Sequence, residues 1–285
     1  MKYFKSSLLR YLVIPVALFF FMGCEDVIEV SVPDEAPRLI VNALVRVDPN
    51  SDFVDLIVKV SLTDSFFGEI PVTNLRQITL AGAILVDYDN PGSGIYTGTR
   101  TRDYIESLEG EEILLQIDWE DKLYYASTKY VRTVPIDNIE IGNNTLFSDD
   151  ETEVIITFTD NPDRNDFYIF DMGFGNFTTV DDQFIQGQQF SFSYFYDQKF
   201  EPGQELTISL LGADQSFYNY MNLLLEQTED NFGVFETPAA TVRGNIFDVT
   251  ELDNIDFFDN VKIPNDFPLG YFAIVQEYKQ TIVIE

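Results

Sequence analysis

Two neighbouring segments near the start of the chain alternate apolar and polar residues with a period of two. The first carries apolar side chains at Leu39, Val41, Ala43, Val45 and Val47, and the second at Val54, Leu56, Val58, Val60 and Leu62. Successive side chains of a β-strand point to opposite faces of its sheet, so this spacing indicates strands with one buried face. Both segments are therefore predicted to belong to a half-buried β-sheet.

Further short strands are predicted up to residue 133. Ile78–Tyr88 continues the strand pattern, and the segments Ile113–Trp119 and Lys122–Lys129 flank Glu120 and Asp121 as a hairpin. Short strands at this spacing predict an antiparallel sandwich of immunoglobulin-like or fibronectin-like type over residues 38–133. We place a domain boundary after it, because Pro135 interrupts the strand pattern.

Residues 134–285 are predicted to form a second β-rich domain with one main helix. Its strand candidates are Val154–Thr159, Phe167–Phe174, Gln189–Tyr196, Glu205–Leu211, Ile274–Tyr278 and Thr281–Ile284. Asp214 can cap a helix near 214–229, where Phe217, Tyr220, Met221, Leu224, Leu225 and Thr228 fall at helical spacing. We expect this apolar stripe to pack against the rest of the domain rather than to line a ligand groove.

The single cysteine of the chain, Cys24, directly follows an N-terminal apolar run. Three basic residues precede the run Tyr11–Met22, and small Gly23 lies before the cysteine. This order is typical of a cleaved signal peptide, and twelve apolar residues are too few to span the roughly 20-residue hydrocarbon core. We predict a lipoprotein signal over residues 1–23, acylation of Cys24, for example by palmitate, and a tether over 24–37. The alternative is an ordinary secretory peptide cut elsewhere.

Charge narrows the classes of partner. Cleavage after Gly23 removes three of the 17 basic residues and none of the 48 acidic ones, which leaves 14 against 48 and a net charge of −34. Nucleic acids are excluded, because affinity for phosphates depends on clustered Lys and Arg. Electrostatic attachment to an anionic bilayer is excluded for the same reason, so the lipid must hold the protein at the membrane.

The residue inventory also limits catalysis. The sequence has no histidine, and Cys24 would be consumed by lipid. Triads of the Ser-His-Asp type, His-ligated metals and thiol catalysis therefore lack their residues. Carboxylate chemistry remains, since a glycoside hydrolase needs only two acids about 5 to 10 Å apart. No particular pair of the 48 acids stands out, so we expect no enzyme and keep a surface-glycan hydrolase as the alternative.

Two stretches of the second domain are candidates for binding. Asp160, Asp163 and Asp166 crowd into seven residues with Asn161 and Asn165. These oxygens suit calcium, although the spacing is not that of an EF-hand, and a turn stabilised by Asp and Asn side chains is the alternative. The second stretch holds Phe192, Tyr194 and Tyr196, which would form either a partner surface or part of the core.

Ordered short motifs resemble a family of Bacteroidota outer-membrane lipoproteins, the domain-of-unknown-function 4249 family. The motifs begin with Cys24-Glu25 and continue with the segments 38–43, 80–86, 160–168, 182–187, 244–246 and 268–272. Their order spans nearly the whole chain, although each motif alone is short. Glu25 and Asp26 behind the cysteine also resemble the surface-export tag of such lipoproteins.

The resemblance implies a cellular location and a class of partner, and it brings no catalytic residues. Members of the family look like accessory lipoproteins of TonB-dependent outer-membrane transporters. The implied function is a surface-exposed, lipid-anchored accessory in nutrient capture, with no cofactor apart from the calcium considered above. A purely structural role in the envelope is a further alternative.

Overall fold

A computed structural model describes residues 37–63, 69–87, 91–148, 150–228, 241–250 and 267–284. The N-terminal half contains β1 (Leu39–Val47), β2 (Phe53–Thr63), β3 (Glu69–Pro71), β4 (Gln77–Leu80), β5 (Ala83–Ile84), β6 (Ile95–Thr101), α1 (Arg102–Ser107), β7 (Ile113–Trp119), β8 (Lys122–Thr128) and β9 (Tyr130–Val131). The C-terminal half contains β10 (Ile136–Ile141), β11 (Thr152–Thr159), β12 (Phe167–Gly173), β13 (Asn176–Asp181), β14 (Gln189–Tyr196), β15 (Glu205–Ala213), α2 (Gln215–Thr228), β16 (Ile246–Asp248) and β17 (Leu269–Val283).

One large sheet runs through both halves, and β17 joins them. The strand order is β13-β12-β15-β17-β1-β2-β3, with β6 also on β2 and β9 also on β17. The first half of β17 pairs parallel with β1, from Ile40↔Leu269 to Val47↔Gln276. Its second half pairs antiparallel with β15. Strand β17 therefore pairs with β1 of the N-terminal half and with β15 of the C-terminal half at once.

Two smaller sheets pack on one face of the large sheet. The five-stranded sheet β16-β8-β7-β4-β5 encloses a core with β1, β2 and β6, and the three-stranded sheet β10-β11-β14 encloses a second core with β12 and β15. Helix α2 covers part of the opposite face, where Phe217 and Met221 are buried against a third cluster. The predicted fold class, mostly β with antiparallel sheets in a sandwich and one main helix, is confirmed.

Two of the three predictions about single turns and helix ends are confirmed by the structure. The β7–β8 hairpin turns at Glu120 and Asp121 as predicted. Helix α2 begins after Asp214, whose side chain accepts the Phe217 N–H at 2.8 Å. The prediction of one strand over Ile78–Tyr88 is wrong for the described residues 78–87, because Ala81 and Gly82 adopt positive φ and turn the chain between β4 and β5; Tyr88 lies outside the described residues. Ala81 has φ of 48° and Gly82 has φ of 71°. Positive φ at both central residues is typical of the tight hairpin turns that favour glycine.

Three of the resemblance motifs meet where β17 lies beside β1. Gly270 has φ of 91°, and a Cβ there would lie 2.0 Å from the Val41 carbonyl oxygen. A Cβ on Gly244 would lie 1.6 Å from the Gly270 oxygen. The Asn245 side chain exchanges two 2.8 Å hydrogen bonds with the backbone of Phe272. These motifs therefore build a close backbone junction, and only glycine fits its crowded positions.

The predicted domain boundary at residues 133 and 134 stays a prediction. The first core draws mainly on residues 39–130 and the second on residues 134–210, yet Phe272 and Ile274 of β17 belong to the first core and Ile284 to the second. The predicted signal peptide, Cys24 and the tether up to residue 36 lie outside the described residues. Within the described ranges, no helix is long and apolar enough to cross a membrane.

Candidate functional site

The calcium candidates lie in the turn between β11 and β12, residues 160–166, which we call the acidic turn. Asp160 and Asp166 are only 2% and 6% exposed, whereas Asp163 is exposed. The buried Tyr168 hydroxyl donates to Asp160 Oδ1 and lies 3.1 Å from Asp166 Oδ2. Arg164 Nε donates to Asp166 Oδ2 at 2.8 Å. The two buried carboxylates thus converge on one hydroxyl.

The remaining bonds of these acids tie the acidic turn to a second turn, residues 182–188, which we call the return turn. Gly187 N–H donates to Asp160 Oδ2 at 2.6 Å, and Asp166 N–H donates to Asp182 Oδ2 at 2.5 Å. A Cβ on Gly187 would lie 2.8 Å from Pro162 Cβ, so the two turns touch. Both turns are resemblance motifs. The carboxylates of each turn therefore accept hydrogen bonds from backbone N–H groups of the other turn.

Burial governs the protonation of this cluster. Desolvation raises the pKa of Asp166, and the Arg164 guanidinium and the Tyr168 hydroxyl oppose that rise. Burial, with the adjacent carboxylates, also raises the pKa of Tyr168 above its ordinary value. Among the described residues, no group of three or more His, Cys, Asp or Glu side chains is arranged to hold a metal ion. The contacts favour the turn interpretation over the calcium one, and calcium binding stays a hypothesis.

The aromatic candidates lie on the inner face of the three-stranded sheet. Phe192 packs edge-on against Phe170 with ring centroids 5.0 Å apart, and Tyr194 packs against Tyr196 at 4.8 Å. For Tyr196 the contacts favour the core alternative: it is 3% exposed, and its hydroxyl donates to the Met172 carbonyl at 2.6 Å. Phe192 and Tyr194 are half-buried against the second core. Their rings line its edge and do not project from the protein.

Other rings of the same domain are the exposed ones, and the sequence analysis did not single them out. Phe184 is 83% exposed in the return turn that leads into β14, and Phe174 is 68% exposed at the turn after β12. The Phe174 ring contacts Tyr196 edge-on, with centroids 6.3 Å apart. The turn residues around Phe184, from Asp182 to Gly187, were the available signal. Exposed rings therefore lie near both ends of β14.

A second feature absent from the sequence analysis is a ladder of alternating charges on the other face of the large sheet. Arg46 contacts Asp171 at 2.8 Å and Glu277 at 3.1 Å, and Lys279 contacts Glu277 at 3.7 Å and Asp48 at 3.3 Å. An open groove of about 620 Å³ is bordered by Arg46, Asp48, Glu277 and Lys279. The paired residues of the ladder are up to 231 positions apart in the sequence, so no local spacing predicts these ion pairs.

What the ladder can do chemically follows from its pairing. Every acid in it faces a cation, and Glu277, which is nearly buried, lies between Arg46 and Lys279. The carboxylates of the ladder are therefore held in ion pairs with Arg46 and Lys279, an arrangement that suits binding.

The described residues thus define a β-sandwich protein with two hydrogen-bonded turns rich in acids and with half-buried aromatic rings on β14. The chain belongs to the family described as domain of unknown function (DUF4249), whose model matches residues 25–254. No curated protein matches the chain.

Proposed function

We propose that this protein is a lipid-anchored lipoprotein of the outer membrane, facing the cell exterior, that works by binding and without catalysis. Its partner in this proposal is a TonB-dependent transporter, which it assists in nutrient capture. The observation that carries the binding part is the state of the acids. Asp160 and Asp166 are buried and occupied by hydrogen bonds, while the rings of Phe174 and Phe184 in the same half of the chain are exposed.

The anchor rests on Cys24 and the apolar run before it. One acyl chain gives only marginal membrane binding, whereas several chains on one cysteine, at about 0.8 kcal/mol per buried methylene, hold a protein firmly. The strongly acidic chain offers an anionic bilayer no electrostatic attraction, so loss of the lipid should release it.

The test of the anchor is Cys24→Ala with labelled palmitate, followed by a high-salt wash of the membranes. We expect the label and the membrane association to be lost together. A matched control, Glu25→Ala with Asp26→Ala, keeps the acylated cysteine and should keep the label, while protease access from outside the cell should fall. A Cys24→Ala protein that stays in washed membranes would contradict lipid anchoring.

The alternative, a carboxylate hydrolase of surface glycans, has a definite place to act. The groove beside the charge ladder exposes Asp48 and Asp55 and reaches Glu277. We expect purified protein to leave surface polysaccharides intact, and Glu277→Gln to change nothing in that assay. Turnover that disappears in Glu277→Gln would replace the binding proposal with the hydrolase.

A further inference from the structure

Strand β14 forms an open edge of the second sandwich. The three-stranded sheet has the order β10-β11-β14, and among the described residues β14 pairs with β11 alone. An edge strand presents unpaired N–H and C=O groups, which other chains can use as a template.

The register fixes which residues of β14 face the open side. Asp160 N–H donates to the Gln188 carbonyl at 3.0 Å, and the pairing continues without a bulge from Thr159↔Gln189 to Thr152↔Tyr196. Bonded and non-bonded pairs alternate in an antiparallel ladder. The backbone groups that point outward therefore belong to Gln189, Ser191, Ser193 and Phe195.

This edge lacks the devices that protect other edges. Natural sheets shield an edge with charges, proline or bulges. The opposite edge of the same sheet, β10, has a bulge between Ile136 and Asn138 and carries Asp137 and Glu140. The sequence of β14 is QFSFSYFY, which contains no charge and no proline in a chain with 48 acidic residues.

The inner face of β14 is also incompletely covered. Phe190 and Phe192 stack with centroids 6.0 Å apart, and both rings, like Tyr194, are only half-buried on the second core. An added strand would place alternate apolar side chains beside these rings and complete the layer.

We propose that β14 accepts an extended, apolar segment of a partner protein as a fourth strand of this sheet. This inference rests on the proposed binding function and names the surface that performs it. A second copy of the chain does not fit as well, because each copy, once cleaved before Cys24, would carry a net charge of −34 and repel the other. The fitting partner is a strand-donating protein with basic residues around the donated segment.

A variant pair at one position tests the edge. Ser191→Pro removes an outward N–H, and proline is tolerated on edge strands. Ser191→Ala keeps that N–H and removes only the side-chain hydrogen bond to Thr157, which both variants lose. In the full-length anchored chain, we expect Ser191→Pro to recover at least about tenfold less cross-linked partner from outer membranes than Ser191→Ala.

Hydrogen exchange of the wild-type chain gives an independent reading if Ser191→Pro does not fold. The amides of Ser191 and Ser193 should exchange freely in the chain purified free of its partner and at least about tenfold more slowly in outer membranes. Amide exchange that is the same in both states, or equal recovery of cross-linked partner with both variants, would overturn the assignment of β14 as the binding edge. If a transporter were still recovered in that case, the proposed function would stand without this edge. Cross-links that join two copies through β14 would overturn it in favour of self-association.

Discussion

Tyr168→Phe isolates the hydroxyl that serves the two buried acids. The ring stays in place, so no cavity opens, and only the hydroxyl at Asp160 Oδ1 and Asp166 Oδ2 is lost. A hydrogen bond to a charged group contributes about 1.5 to 3 kcal/mol. The hydroxyl has a single proton for the two acids, so we count one such bond. We expect the free energy of unfolding to fall by about 1.5 to 3 kcal/mol near pH 7.

The matched control is Tyr196→Phe. Tyr196 is equally buried in the same core, but its hydroxyl donates to a neutral carbonyl, that of Met172. A neutral hydrogen bond contributes about 0.5 to 1.5 kcal/mol, so the two variants should differ by about 1 to 2 kcal/mol. Urea unfolding followed by circular dichroism measures both free energies.

The pH dependence has a definite sign. Burial raises the pKa of Asp166, and the Tyr168 hydroxyl holds that rise in check. Without the hydroxyl the pKa of Asp166 rises further. A carboxyl group with a raised folded-state pKa costs stability while it is charged, and the cost is relieved as the pH falls through that pKa. The deficit of Tyr168→Phe should therefore shrink between about pH 7 and about pH 4. Equal losses in the two variants, or a deficit independent of pH, would refute the reasoning.

Three further changes probe other parts of the fold. Ser193→Ala should raise the pKa of Glu153, measured by NMR titration, because the hydrogen bond from the Ser193 hydroxyl is the main cause of its lowered pKa; an unchanged titration would contradict this. Gly270→Ala should cost about 2 to 5 kcal/mol in urea unfolding, since it forces a Cβ at positive φ against the Val41 carbonyl, and a smaller loss would mean that β17 shifts freely. Phe170→Ala should cost about 3 to 5 kcal/mol, and a loss below about 1 would show that the second core collapses around the gap.

The parts of the fold that could be predicted are those encoded by short spacing. Alternation located β1 and β2, and Asp214 marked the start of α2. The turn at Ala81 gave no signal, because alanine is not a residue that positive φ selects. The pairing of β17 with β1 joins residues as far apart in the sequence as Ile40 and Leu269, and a pairing over that separation leaves no local pattern.

The candidate site was predicted in part for the same reason. Its acids were found, but their role depends on the return turn, which supplies Gly187 N–H to Asp160 and Asp182 to Asp166. The alternation of aromatic residues in β14 was also recognised. Because Phe195 places an aromatic ring on the other face of β14, alternation alone does not predict which face is buried. The buried face is the one that carries Phe192, which packs against Phe170 of β12.

The central claim is that this protein is held at the outer membrane by lipid and acts there by binding a partner. Its most direct test is the native mass of the tagged, full-length chain after gentle detergent extraction from outer membranes. We expect a stoichiometric complex with a transporter, and we expect that complex to be absent when Cys24→Ala is expressed instead. The acylated chain recovered alone, with no stoichiometric partner, would contradict it.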